Sequence, residues 1–154
     1  RKGETLLLAL APQAIIIRTA WLYSAHGKNF VKTMLRLADS QPEIKVVCDQ
    51  IGTPTFARDL ARAVVKVLQS HQWVPGIYHF TDEGAASWYD FAKAIFRIAG
   101  KDVKVTPIPT EDYPTPASRP SYSILDRTRI KATYGIEIPH WEEALADCLR
   151  QLGY

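Results

Sequence analysis

Cysteine is scarce in this chain, and its scarcity excludes a fold held together by disulfides. The 154 residues include two cysteines, Cys48 and Cys148, which lie far apart in the sequence. Neither has a further metal-binding residue at the spacing of a zinc motif, and the four histidines are scattered. We therefore predict two buried, reduced cysteines in a cytosolic protein and no metal site.

Long apolar runs and blocks of basic residues are also absent. No segment is apolar over the length that a membrane span requires, and no signal peptide is recognisable. The net charge of +3 comes from 19 basic and 16 acidic residues spread along the chain, without the Lys/Arg cluster of a nucleic-acid site. These absences predict a soluble, cytoplasmic protein that binds neither membrane nor nucleic acid.

The pattern that is present is that of an α/β protein with a substantial core, since 47% of the residues are hydrophobic. The uninterrupted apolar run Ala14–Ile17 is typical of a parallel strand covered by helices on both faces. Further strands are predicted at 44–48 and 76–80, with a short extended segment at 103–107. Helical periodicity predicts helices at about 30–38, 57–68 and 88–99, a short helix ending near 135, and a last helix from 141.

Helix ends and loops are marked by their own residues. Asn29 is placed to cap a helix, and Ser87 with Asp90 resembles a capping box. The five prolines between 107 and 120 predict a long irregular loop, in which Glu111 and Asp112 are a solvated pair. The chain starts inside a helical pattern, Arg1–Leu10, which predicts that a further segment precedes it.

We expect the fold to be the C-terminal part of a doubly wound, Rossmann-like sheet joined to a small α/β substrate-binding lobe. Residues 1–75 are assigned to the end of the nucleotide-binding domain, with interleaved segments of the lobe, and residues 76–154 mainly to the lobe. So short a sheet leaves an edge strand exposed, which predicts self-association or pairing through that edge.

The order and spacing of many short motifs carry a family resemblance across nearly the whole chain. They are Arg18–Tyr23, Asn29–Ala38, Asp49–Thr55, Arg58–Ala61, Ser87–Ala92, Pro107–Pro109, Tyr113–Pro116, Arg119–Pro120, Ser123–Asp126 and Pro139–Trp141. In these motifs the chain resembles the C-terminal half of dTDP-4-dehydrorhamnose reductases, which are extended short-chain dehydrogenases/reductases.

The resemblance implies reduction of the C4 keto group of dTDP-4-dehydro-L-rhamnose to dTDP-L-rhamnose, in nucleotide-sugar synthesis for cell-surface polysaccharide. NADPH or NADH is the implied cofactor, and magnesium at a dimer contact and a homodimer are family possibilities. The family's catalytic Tyr-x-x-x-Lys pair and Gly-rich cofactor loop are expected upstream of Arg1. We therefore expect the chain to lack both, to be inactive alone, and to hold no catalytic, cofactor-binding or metal-binding residue.

What remains is the substrate side of the cleft. The family's substrate-contacting tryptophan corresponds to Trp21, whose indole can stack on a deoxyhexose and donate to a hydroxyl. Packing of that ring in the core is the competing interpretation. The remaining predicted substrate-binding residues are Asn29, Phe30, Lys32, Gln50 and Arg119.

Each of these residues also has a structural interpretation. Asn29 is favoured as a helix cap, Lys32 as solvated surface, and Arg119 is balanced between a phosphate contact and an ion pair. Phe30 is a candidate for the thymine ring and Gln50 for a sugar or base edge. The aromatic residues of the later helices are predicted to pack in the core: Trp88, Tyr89, Phe91 and Trp141.

Two other functions stay open for such a sequence. One is a non-catalytic regulatory relative that uses this fold to bind a partner enzyme. The other is an epimerase or dehydratase of the same superfamily that acts on a different nucleotide sugar.

Overall fold

The computed structural model describes residues 2–117 and 119–154 and shows a mixed α/β fold. The helices are α1 Lys2–Leu10, α2 Phe30–Ala38, α3 Ala57–Gln69, α4 Trp88–Ile98, α5 Thr128–Tyr134 and α6 Trp141–Gln151. The strands are β1 Ile15–Arg18, β2 Leu22–Tyr23, β3 Glu43–Val47, β4 Ile51–Gly52, β5 Thr55–Phe56, β6 Gly76–His79, β7 Ala86–Ser87 and β8 Lys104–Ile108. The predicted helices and strands are present to within a few residues, whereas the two-residue strands β2, β4, β5 and β7 were not predicted. Arg1 lies outside the described residues.

Strand pairing is long-range and mostly parallel. β1 pairs with β6, β2 with β5 and β3 with β8 in parallel, whereas β4 and β7 are antiparallel. The two apolar strands read from the sequence, β1 and β3, therefore pair with later strands and not with each other. Within the described residues β1 pairs with β6 alone. The self-association expected from its edge stays a prediction.

The larger core lies among α2, α4, α6 and β3. Its buried members include Val31, Phe91, Ile95, Leu145 and Leu149, each fully or almost fully enclosed. Since Phe91 and Ile95 are one helical turn apart, α4 presents one apolar stripe to α2 and α6, as its periodicity predicts. The predicted core role of Phe91 and Trp141 is confirmed.

A second, smaller core lies between α3, β6 and α5. It consists of seven buried residues: Ala63, Val67, Tyr78, Phe80, Ile130, Tyr134 and Ile136. Ile15 and Ile17 of β1 pack against it from the side. Helix α1 has no buried residue, and its Leu6, Leu7 and Leu10 are exposed. The division of the chain at residue 75 stays a prediction.

The proline-rich segment is more regular than its sequence predicts. Pro107 lies within β8 opposite Val46, and Thr110–Asp112 forms a 3₁₀ helix, so the expectation of an irregular loop from 107 is wrong at its start. A proline is tolerated there because β8 lies at the edge of a two-stranded pair, where its missing N–H leaves no ladder bond unmade. Ser118, also in the predicted loop, lies outside the described residues.

The two cysteines are free thiols. Cys148 is fully buried, and its burial raises the pKa of the thiol to about 11, which keeps it protonated and unreactive. Cys48 is only half-buried, so burial was predicted correctly for one cysteine of the two. None of the helices described is both long enough and apolar enough to cross a membrane.

Helix α3 begins at a buried carboxylate that lies far away in sequence. Phe56, the residue before α3, has no cap in its own side chain, and its backbone N–H donates to Oδ2 of Asp82 at 2.8 Å. Asp82 is fully buried, and its Oδ1 has no partner in the part of the chain that the structure describes. Burial raises the pKa of this carboxyl to about 7.

We predict that Asp82→Asn removes a pH dependence of folding. The folded chain keeps a proton on Asp82 that the unfolded chain releases above its ordinary pKa of 3.8, so stability falls as pH rises from there to about 7. A shift of about 3 pKa units corresponds to about 4 kcal/mol, which sets the upper limit of the effect. Asparagine keeps an oxygen for Phe56 and does not ionise.

Urea unfolding at pH 4 and pH 8 measures this effect. The free energy of unfolding of the Asp82→Asn variant, relative to the unmodified chain, should increase from the lower to the higher pH. The exposed carboxyl of Asp102 gives a matched control, Asp102→Asn, for which no such increase is expected. Equal pH slopes for the unmodified chain and Asp82→Asn would show that Asp82 does not titrate in this range.

Candidate functional site

Trp21 occupies a backbone conformation that side chains other than glycine rarely adopt. Its φ is +49°, and it is the sole non-glycine residue with a positive φ in the described part of the chain. Its carbonyl oxygen accepts a hydrogen bond from Thr55 N at 3.1 Å, which anchors the turn between β1 and β2. Such backbone strain persists where the surrounding structure requires it, and it is concentrated at functional sites.

The indole of Trp21 is stacked on that of Trp88, the first residue of α4. The two ring centroids are 3.5 Å apart, and the ring planes differ by 8°. Trp21 is half-buried, so its ring is not sealed inside the core. Phe30 extends the aromatic contacts, because its ring centroid lies 4.8 Å from that of Trp88.

Beside this stack lies an open cavity of about 470 Å³ between α2, α4, β3 and the segment after β8. Its apolar wall consists of Phe30, Met34, Leu37, Ile44, Val46, Val47 and Trp88. Its polar lining consists of Thr33, Gln41, Lys45, Gln50, Tyr113, Thr115 and Arg119. A mostly apolar cavity with a few convergent polar groups is the usual form of a small-molecule site.

Three of the six predicted substrate residues line this cavity. They are Phe30 in its wall, Gln50 at one side, and the exposed Arg119 at its rim. Trp21 does not line the cavity, but it contacts Trp88, which does. Asn29 and Lys32 are not among the lining residues.

The side chain of Asn29 makes hydrogen bonds to neighbouring backbone groups. Its Oδ1 accepts from Lys32 N at 3.2 Å and so caps α2, as predicted, while its Nδ2 donates to Ser24 O at 2.7 Å. Lys32 is half-buried, and its ammonium donates to Ala25 O at 3.3 Å. The expectation that Lys32 is solvated surface is therefore only partly right.

Gln50 is buried, with 7% of its surface exposed, and it is held at the cavity by a short chain of hydrogen bonds. Its Nε2 donates to Thr110 Oγ1 at 3.1 Å, and that hydroxyl donates to Asp49 Oδ1 at 2.6 Å. The hydrogen bond from the Thr110 hydroxyl lowers the pKa of the Asp49 carboxyl. Asp49 therefore stays ionised and fixes the 3₁₀ helix at the edge of the cavity.

Trp88 is the main residue of the site that the sequence analysis assigned elsewhere. It packs against the larger core, as expected, but it is half-buried and also lines the cavity. The sequence did contain a signal for partial exposure of Trp88, because it directly follows the capping Ser87. The first residue of a helix lies at the end of the element and near solvent. Tyr113 and Thr115 were quoted for their motif and not as site residues.

The chain contains one pair with the Tyr-x-x-x-Lys spacing, other than the family's catalytic pair expected upstream. Tyr89 and Lys93 lie one turn apart on α4, with the Lys93 ammonium 5.5 Å from the centroid of the Tyr89 ring. Neither residue lines the cavity, and Lys93 is exposed. The spacing is that of successive turns on one helix face, and the geometry gives it no catalytic role.

Metal binding has no support in the described residues. Within residues 2–117 and 119–154 no three His, Cys, Asp or Glu side chains are grouped so that they could hold a metal ion. The magnesium site that the family resemblance implied is therefore assigned to none of these residues.

Comparison with known proteins identifies the family. The sequence profile described as the RmlD substrate binding domain matches residues 1–154. The chain belongs to this family. A dTDP-4-dehydrorhamnose reductase from Aggregatibacter actinomycetemcomitans is 47% identical to it over 154 residues, which cover 94% of the chain and 52% of that protein.

Solved structures agree with this assignment. The crystal structure of a dTDP-4-dehydrorhamnose reductase from Clostridium acetobutylicum superposes with a TM-score of 0.94 at 48% identity, covering 99% of this chain and 54% of that one. A reductase from Bacillus anthracis in complex with NADP gives a TM-score of 0.90 at 40% identity, with 97% and 52% covered. The RmlD-family chain thus spans about half the length of these relatives, and their fold confirms the predicted Rossmann-type α/β class.

We predict that Asn29→Ala lowers the stability of this RmlD-family chain without weakening nucleotide binding. Loss of a helix cap costs about 1 kcal/mol, whereas Asn29 is not part of the cavity lining. Thermal unfolding and a dTDP titration measure the two effects separately. Asn29→Asp, which keeps a capping oxygen, is the matched control and should retain most of the stability. A large loss of dTDP affinity in Asn29→Ala would make Asn29 a ligand residue after all.

Proposed function

We propose that this chain is the substrate-binding half of a dTDP-4-dehydrorhamnose reductase. The observation that carries the proposal is the cavity of about 470 Å³, which combines an aromatic wall with an arginine at its rim and lies beside the stacked Trp21. A nucleoside diphosphate sugar has matching parts: a flat base, a dianionic linker and a sugar ring. The family membership of the chain supports the same choice.

The nucleotide fits the polar and aromatic lining. Phe30 offers a ring face against which a thymine base can pack. Gln50 lines the cavity with its Nε2 bonded to Thr110, which leaves its amide oxygen to accept from a base N–H. Arg119 has no ion-pair partner within the described residues, which leaves its guanidinium for the diphosphate. Lys45 supplies a second positive charge in the same cavity.

The sugar is assigned to Trp21. Its indole Nε1 has no hydrogen-bond partner in the described residues, so it is free to donate to a sugar hydroxyl. Trp88 covers one face of the indole and Gly52 the other, so the outer edge of the ring is the part that contacts the deoxyhexose. Asn29 is proposed here as a structural cap, and a ligand role for Lys32 stays a prediction.

The cofactor is assigned to the part of the reductase that this chain does not match. The glycines nearest to each other are Gly76 and Gly84, so the 154 residues contain no Gly-x-Gly-x-x-Gly loop to hold a dinucleotide phosphate. A bound NADPH supplies the hydride for the C4 carbonyl. The residues described here bind the nucleotide, orient the sugar and shield it from water.

The two alternative functions are not favoured. The relatives that cover the chain at 36–47% identity are mostly named dTDP-4-dehydrorhamnose reductase, which favours reduction over epimerisation or dehydration. A purely regulatory protein has no need for a cavity that combines an aromatic wall with charged and polar groups.

Nucleotide titrations test the proposed binding site. We predict that the chain binds dTDP more tightly than UDP or GDP, and that Arg119→Ala weakens dTDP binding by about tenfold or more, since a charge-assisted hydrogen bond is lost. Arg36→Ala is the matched control, because Arg36 lies on α2 but outside the cavity lining. Calorimetry gives the affinities. A preference for UDP or GDP, or equal losses in both variants, would contradict the proposal.

A chimera tests the proposed activity. We predict that the 154 residues alone do not oxidise NADPH in the presence of dTDP-4-dehydro-L-rhamnose, but that they do so when fused behind the remaining half of the Aggregatibacter relative. The absorbance of NADPH measures turnover. The intact Aggregatibacter reductase, in which both halves are its own, serves as the positive control. Turnover by the isolated chain, or a folded chimera without turnover, would argue against a substrate-binding half.

A further inference from the structure

Gly52 contacts Trp21 so closely that no other residue fits at position 52. A Cβ atom built on Gly52 would lie 2.5 Å from Cε2, 2.7 Å from Cζ2 and 2.8 Å from Nε1 of the Trp21 indole. Real Cβ atoms do not approach other atoms below 3.0 Å. Since these three ring atoms are consecutive, a side chain at position 52 must displace the whole ring.

The backbone of Gly52 gives no other reason for glycine. Its φ lies outside the left-handed region, so alanine is compatible with the local chain conformation. Gly52 is buried in β4, where it pairs with Ala86 of β7. The requirement for glycine at this position therefore comes from the Trp21 ring, which supplies the three atoms nearest to such a Cβ.

The same strand pair also brings in the other partner of the indole. Ile51 pairs with Ser87, and Trp88 follows Ser87 as the first residue of α4. The capping box fixes that helix start, because Ser87 Oγ accepts from Asp90 N at 3.0 Å and Asp90 Oδ2 accepts from Ser87 N at 3.0 Å. One pairing thus places both the space for the indole and the ring on which it stacks.

We propose that Gly52 is a positioning residue for substrate, which leaves the space in which Trp21 lies between Gly52 and Trp88 with the outer edge of its ring presented to the sugar. The inference rests on the proposed function, and it assigns position 52 control over the sugar and not over the nucleotide. Gly52 itself is not part of the cavity lining. Its influence on the ligand must therefore pass through the Trp21 ring.

The test compares the affinities of the chain for dTDP and for dTDP-L-rhamnose, measured by calorimetry. Their ratio is the sugar contribution. We expect Gly52→Ala to lower this contribution by about threefold to tenfold, the range for loss of an aromatic contact, and to leave dTDP affinity within about twofold. Gly3→Ala is the matched control, because a Cβ at Gly3 meets nothing within 4 Å.

Circular dichroism gives a second readout, which reports directly whether the Trp21 ring has moved relative to Trp88. Two closely stacked indoles couple their excited states and produce a pair of bands of opposite sign when their transition dipoles are twisted relative to each other. We expect this signal in the unmodified chain and in Gly3→Ala, and its loss in Gly52→Ala and in Trp21→Phe. A Gly52→Ala chain that keeps both the paired bands and the full sugar contribution overturns the proposal.

The double variant Trp21→Ala/Gly52→Ala tests whether position 52 affects sugar affinity through the Trp21 ring. We expect it to match Trp21→Ala, because the added methyl then has no ring to displace. If Gly52→Ala fails to fold, recovery of folding in the double variant supports the steric route, and failure of both overturns it. A further loss of affinity in the double variant also overturns it.

Failure of the inference is distinguishable from failure of the proposed function. If Trp21→Ala leaves the sugar contribution unchanged, the assignment of the sugar to Trp21 is wrong and the role of Gly52 is lost with it. If Trp21→Ala removes the sugar contribution while Gly52→Ala does not change it, the proposed function survives and only the positioning role is rejected.

Discussion

The stack of Trp21 on Trp88 is the contact on which the candidate site depends. It joins the turn after β1 to the start of α4, two segments that no strand pairing connects directly, with ring centroids 3.5 Å apart. The contact requires a left-handed backbone conformation at Trp21, which is energetically unfavourable for a residue other than glycine. Because Trp88 also lines the cavity, the stack couples the position of Trp21 to the shape of the cavity wall.

Polar contacts hold the segment that leads into α4. Arg127 donates to Thr81 Oγ1 at 3.0 Å and to the carbonyl of Asp82 at 3.1 Å, and it pairs with Glu83 at 2.8 Å. These bonds hold the loop between β6 and β7, and Asp82 in the same loop accepts from the backbone N–H of Phe56, the residue before α3. Since β7 follows this loop, the buried polar groups fix the point at which Trp88 enters the site. Apolar packing forms the two cores, and these hydrogen bonds fix the position of Trp88 at the cavity.

Local signals in the sequence predicted the local structure. Asn29 capped α2 and Ser87 with Asp90 formed the capping box, because both motifs act within one helical turn. Strand partners were not predictable, since the apolar run of β1 contains nothing that selects β6 over β3. Periodicity gave the buried face of α4 but not the cavity at its first residue. Phe30, Gln50 and Arg119 were predicted from their local positions and chemistry, and the sequence did not show that they line one cavity, because that depends on tertiary packing.

We propose that this RmlD-family chain binds the substrate of a reduction whose hydride donor binds outside the residues described here. The most direct measurement of that claim is a crystal structure of the chain with dTDP-L-rhamnose. We predict the base against Phe30, the diphosphate at Arg119 and the sugar ring against the outer edge of the Trp21 indole. A nucleotide bound instead in the separate cavity beside Asp59 and Lys66, with the space beside Trp21 empty, would contradict it.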